Sequence, residues 1–179
     1  MINVDQKGFQ LTGPGDGVWP GDRVRFDFFG TGHKIPLSWT KQGSATAFLA
    51  LDRNGNGKID SAKELFGNIT DQPPSSDPNG FLALAVFDVN HDGVIDGQDP
   101  VYRHLLLWTD KNHNGISEPD ELVPLWQSGI SAIRLDYKPT SEVVNGNQFR
   151  YCSTIVNTDG SDNGRITCDV FLLVAPRAQ

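Results

Sequence analysis

Apolar and polar positions alternate at both ends of this chain and bunch together in its middle. Phe9-Gln10-Leu11 and Val24-Arg25-Phe26-Asp27-Phe28 alternate with period two, so residues 1–43 read as strands and turns, punctuated by Gly13-Pro14-Gly15-Asp16-Gly17. Ala45-Thr46-Ala47-Phe48-Leu49-Ala50-Leu51 is an apolar run that predicts a short helix, and Ser61-Ala62-Lys63-Glu64-Leu65-Phe66 predicts another. The Pro-rich stretch 71–78 is a linker, after which Asn79 caps a helix over 80–87. Asp99-Pro100 is an N-cap and N1 pair that starts a helix through Val101 and Leu105. Ser117-Glu118-Pro119-Asp120-Glu121 starts one that Gly129 ends. Beyond 130 the pattern is β again: a strand over 130–137, then a hairpin of 148–156 and 165–174 around 158–164. The expected fold class is α+β, with short helices around a central set of loops, an N-terminal β region and a C-terminal β-hairpin. One domain, 1–179, is expected, with parts at 1–43, 44–129 and 130–179.

The apolar segments lead into three copies of Asp-x-Asn-x-(Asn/Asp)-Gly, beginning at Asp52, Asp88 and Asp110. Calcium takes six to eight oxygens, and an EF-hand-type loop supplies them from positions 1, 3, 5, 7, 9 and 12, with Gly at 6 for a sharp turn. The second loop fills every slot: Asp88, Asn90, Asp92, the Val94 carbonyl, Asp96 and Asp99, with Ile95 at position 8 as the residue that ties paired loops together. The third offers Asp110, Asn112, Asn114, the Ile116 carbonyl, Glu118 and Glu121, but Ser117 stands at position 8, so altered pairing is expected there. The first offers Asp52, Asn54, Asn56, the Lys58 carbonyl and Asp60. Its position 12 is Lys63, and Glu64 comes one residue late, so a wider loop closed by Glu64 is expected. Two to three calcium ions per chain follow. Asp27-Phe28-Phe29-Gly30-Thr31-Gly32 is a worn version of the motif, with Phe where ligands belong, and is assigned no metal.

Among 179 residues, 37% hydrophobic with Gly 19 and Pro 11, a loop-rich globular protein is expected rather than a helical bundle. A net charge of −7 argues against nucleic acid or an anionic membrane as partner, and no apolar run is long enough to span a bilayer. The N-terminus carries no signal-peptide core, yet weak calcium loops suit the outside of cells, so a secreted or cell-surface monomer is expected. His91 and His113 both fall at position 4, where solvated side chains are expected. The Trp residues at 19, 39, 108 and 126 are dispersed and read as core. Cys152 and Cys168 are equidistant from residue 160, so a hairpin centred there makes them opposite neighbours, as a disulfide or as two buried thiols.

Phe48 to Asp60, Glu64-Leu65-Phe66-Gly67, Asn79 to Leu84, Asp88 to Asp99, Leu107-Trp108-Thr109-Asp110, Gly115-Ile116-Ser117, Glu121-Leu122 and Gly129-Ile130 appear in one order over about residues 44–138. This stretch resembles the calcium-binding self-processing module of iron-regulated RTX proteins of Gram-negative bacteria and related RTX-associated domains. The resemblance implies that calcium folds the module and activates cleavage of an Asp-Pro bond just upstream, the new Asp end then joining a lysine amine. No Asp-Pro precedes the loops here. Asp77-Pro78 and Asp99-Pro100 lie within the module. The leading expectation is a calcium-stabilised module of a secreted bacterial RTX-type protein, with calcium as its partner; the alternatives are an autoprocessing module lacking its upstream scissile Asp-Pro bond and, since Asp88 to Leu107 reads like one dockerin repeat, a dockerin-like adhesion module that binds another protein segment.

Overall fold

The computed structural model describes residues 1–162 and 164–175, and among these the chain is mostly strand. The strands are β1 (Ile2–Asn3), β2 (Val24–Phe26), β3 (Ile35–Leu37), β4 (Thr46–Leu51), β5 (Val94–Asp96), β6 (Leu105–Trp108), β7 (Leu122–Pro124), β8 (Ile130–Arg134), β9 (Lys138–Pro139), β10 (Val143–Val144), β11 (Asn147–Asn157) and β12 (Ile166–Phe171). The α-helix is α1 (Gly80–Ala85); four single turns of 3-10 helix complete the set.

Ten strands form one antiparallel sheet in the order β5-β8-β11-β12-β1-β4-β6-β7, with β9 and β10 also paired to β11. Its centre is the two-residue β1, where Ile2 pairs with Thr167 on one side and Ala47 on the other. β2 and β3 form a separate hairpin.

The expected α+β arrangement of helices around EF-hand loops is therefore overturned. Residues 46–51 are strand, paired along their length with β6 from Phe48↔Trp108 to Leu51↔Leu105. The run is buried on both faces, and such a stretch reads alike as a core strand or a core helix. Only partners distant in sequence decide it. The helices expected after Ser61, Asp99 and Ser117 shrink to Ala62–Glu64, Pro100–Arg103 and Pro119–Glu121 before the chain returns to other elements. α1 stands as expected, because the Asn79 side chain accepts from the N–H groups of Phe81 and Leu82 and closes its open end.

The C-terminal hairpin also stands, though Asn163 in its turn lies outside the described residues. Cys152 faces Cys168 in β11 and β12, and the two are joined as a disulfide with Cα atoms 4.1 Å apart.

Beneath the sheet, Ile2, Leu49, Leu84, Ile95, Leu105, Ile130, Ile133 and Ile155 make one core. Phe26, Trp39, Phe48, Ile59 and Trp108 make a second, directly under loops one and three. Trp39 and Trp108 are fully buried with ring centroids 5.6 Å apart, whereas Trp126 is on the surface, against expectation.

Candidate functional site

Loop one (52–64) leaves the end of β4, loop two (88–99) follows α1, and loop three (110–121) leaves β6. All three use one backbone path. The position-6 glycines have left-handed φ, 77° at Gly57, 82° at Gly93 and 68° at Gly115. Position 4 is left-handed too, at Gly55 (71°), His91 (57°) and His113 (62°). Glycine takes that region freely and histidine is among the few side chains that tolerate it.

That path turns N–H groups inward onto the acidic side chains. The position-1 carboxylates accept from the N–H groups of positions 5 and 6: Asp52 from Asn56 (3.2 Å) and Gly57 (2.8 Å), Asp88 from Asp92 (3.2 Å) and Gly93 (3.0 Å), Asp110 from Asn114 (3.1 Å) and Gly115 (2.8 Å). The position-3 oxygens of Asn54, Asn90 and Asn112 accept from the N–H of position 5. The position-5 oxygens of Asn56, Asp92 and Asn114 accept from the N–H of Lys58, Val94 and Ile116. Each bond fixes one lone pair and so orients the others.

The closing acid shows the same repetition. Asp99 accepts from the N–H of Val89 (2.9 Å) and Asp96 (3.1 Å), which are positions 2 and 9. Glu121 accepts from Lys111 (2.7 Å) and Glu118 (3.4 Å), the same two positions. Glu64 accepts from Arg53 (3.3 Å) and Asp60 (2.9 Å), again positions 2 and 9, although it stands one residue later in its loop. The longer Glu side chain and the 3-10 turn at Ala62–Glu64 absorb the extra residue.

At position 9, Asp60 and Glu118 each accept from the side-chain amide of the position-5 Asn at 2.8 Å, while Asp96 accepts from the Gln98 N–H. Glu118 Oε2 is buried with no hydrogen-bond partner. Of the position-7 residues, Val94 sits in β5 beside Arg134, and the Ile116 carbonyl accepts from the Glu118 N–H.

Five of these carboxylates are shut away from water: Glu64 is 2% exposed, Asp88 8%, Asp99 1%, Asp110 1% and Glu121 2%. None makes a salt bridge among the described residues, where the ion pairs are Lys7–Asp5, Lys111–Asp120 and Arg150–Asp77. Burial pushes the carboxyls of Glu64 and Glu121 up from the usual range. The Asn114 amide holds that of Glu118 down. Among the described residues no group of three or more His, Cys, Asp or Glu is placed to hold a metal ion. The oxygens of each loop come instead from a mixed set of carboxylates, Asn amides and backbone carbonyls. That is hard, all-oxygen donor chemistry, which fits calcium and does not fit zinc or copper.

The worn motif has the loop backbone its sequence suggests, and three other features went unread in the sequence or were read otherwise. Asp27 accepts from the N–H groups of Thr31 (3.1 Å) and Gly32 (2.7 Å), and Gly30 and Gly32 have φ 63° and 82°, so the worn motif keeps the backbone of the other three without their ligands. His113 is not solvated: its Nδ1 lies 2.7 Å from the Thr40 carbonyl oxygen and its Nε2 2.6 Å from that of Asp22. Ile95 pairs with Ile133 of β8 and not with a second loop. Two indoles reach loop three, Trp39 Nε1 donating to Asp110 (2.8 Å) and Trp108 Nε1 to Glu121 (3.3 Å). Nothing in the local pattern marks these, because each joins residues distant in sequence.

Neither internal Asp-Pro pair has a free carboxylate. Asp77 is held by Arg150 at 2.6 Å and by the Tyr151 hydroxyl, and Asp99 is the closing acid of loop two.

No helix is long and apolar enough to cross a membrane among the described residues. The chain is 35% identical over 138 residues to the iron-regulated protein FrpA of Neisseria meningitidis serogroup C, covering 76% of this chain and 12% of that protein. It matches the SPM domain over residues 1–172, a span that takes in all three loops and every described strand of the sheet. By that match the chain belongs to the SPM domain family.

Proposed function

We propose that loops one, two and three bind calcium and that the bound ions stabilise the module. The observation that carries this reading is the set of five buried carboxylates with no cationic partner among the described residues. An unpaired buried charge costs several kcal/mol, and a divalent cation coordinated by such groups removes that cost. Glu118 Oε2, buried and unpartnered, is a further oxygen without an occupation.

Loop one would use Asp52, Asn54, Asn56, the Lys58 carbonyl, Asp60 and Glu64. Loop two would use Asp88, Asn90, Asp92, the Val94 carbonyl, Asp96 and Asp99. Loop three would use Asp110, Asn112, Asn114, the Ile116 carbonyl, Glu118 and Glu121. We expect two to three ions per chain. Millimolar calcium outside cells suits such sites, so we place the module in an exported protein.

Calorimetric titration of chelator-treated protein with calcium tests the reading. Two to three binding events are expected, with magnesium a poor substitute because it demands stricter octahedral geometry. Absence of calcium heat would refute it.

A further inference from the structure

Among the described residues, loops one and three are hydrogen-bonded to each other through one side chain. Ser117 Oγ accepts from the N–H of Ile59 at 2.7 Å and donates to the carbonyl of Ile59 at 3.2 Å. Both residues stand at position 8 of their loops and both are buried, Ile59 at 1% exposure and Ser117 at 4%. Water is therefore not at hand to replace either bond, and the hydroxyl occupies the place where a backbone-to-backbone pairing would otherwise lie.

The neighbours of these two residues are all proposed ligands. Ile59 is flanked by Lys58 and Asp60, and Ser117 by Ile116 and Glu118. Loop two has no such link. Its position-8 residue, Ile95, is locked into β5 against β8, on the far side of β1 in the sheet.

We infer that loops one and three form one cooperative calcium unit in which Ser117 is the positioning residue, while loop two binds on its own. This rests on the calcium reading above. When the backbone at 58–60 settles around its ligand oxygens, Ile59 carries Ser117 with it, and Ser117 sets the Ile116 carbonyl and Glu118 of the other loop. Coupling between sites is reciprocal, so filling loop three aids loop one by the same factor.

Loop three carries its own reporters, since the indoles of Trp39 and Trp108 donate to Asp110 and Glu121. Calcium titrations of the full chain, followed by tryptophan emission and by calorimetry, would compare the native chain with Asp52→Asn, Ser117→Ala, the two combined, Ser117→Thr and Asp88→Asn. Asp52→Asn, which impairs loop one, should raise the calcium needed to half-fill loop three by about fivefold, the lower end of usual couplings. Ser117→Ala should do the same, and the combination should be no worse than either alone. Ser117→Thr keeps the hydroxyl and should restore native behaviour. Asp88→Asn removes the loop-two site and should shift loop three by less than about twofold.

Equal effects of Asp52→Asn and Asp88→Asn on loop three, or multiplying effects of Asp52→Asn and Ser117→Ala, overturn the coupling while leaving calcium binding intact. No calcium heat in the native chain overturns both. Should Ser117→Ala fail to fold, the contrast between Asp52→Asn and Asp88→Asn still decides the matter.

Discussion

Asp92 carries a full charge at the position where loops one and three hold Asn56 and Asn114. Its Oδ1 accepts from the Val94 N–H and its Oδ2 from the Asn90 side-chain amide, so Asp92→Asn keeps the first bond and removes the charge together with the second. Calcium affinity follows ligand charge count, and we expect a loss of about tenfold at loop two by calorimetry. Asp77→Asn should leave every calcium affinity unchanged, but it is not silent: it weakens the grip of Arg150 and Tyr151 on the linker and should lower the melting temperature. His113→Asn tests a different bond. Asn also tolerates left-handed φ, so the change removes the ring contacts to Thr40 and Asp22 without straining the loop. Denaturant unfolding in chelator should show a loss of about 1–2 kcal/mol. Residues of this kind divide by range. The oxygens at positions 1, 3 and 5 stand out because their spacing is local, and so does Glu64 once the Lys63 gap is noticed. His113 does not, because its partners lie far upstream in the chain.

The same division holds for elements. α1 and the β11–β12 hairpin could be read in advance, one from its Asn79 cap and the other from cysteines equally placed about a turn. The strands that frame loops one and three could not. Thr46–Leu51 takes its form from β1 and β6, and Leu105–Trp108 from β4 and β7, partners that no short window contains. The three Asp-x-Asn-x-(Asn/Asp)-Gly loops thus sit here on strand ends and single 3-10 turns. The disulfide tests the hairpin: its 16-residue separation predicts about 3 kcal/mol from restricting the unfolded chain. Replacing both Cys152 and Cys168 by Ala should lower unfolding free energy by about that amount, and reductant should have no further effect on the variant.

For the molecule as a whole, the calcium reading makes stability depend on a small ion. Ligand that binds only the folded loops adds RT ln(1 + [L]/Kd), about 2.7 kcal/mol per site at a hundredfold excess over Kd. Thermal melts with calcium and with chelator should therefore differ by many degrees, and identical midpoints would mean that the loops are turns and nothing more. The sheet adds a consequence in time. Its seam is the two residues of β1, which join β4, β6 and β7 on one side to β12, β11, β8 and β5 on the other. Once residues 1–124 are clear of the ribosome everything the first group needs is present, so β4, β6 and β7 can pair early. The free edge of β1 must wait for Thr167, almost the whole chain later. Such long-range closure is slow. A growing chain therefore cannot join its two halves through β1 until β12 has been made.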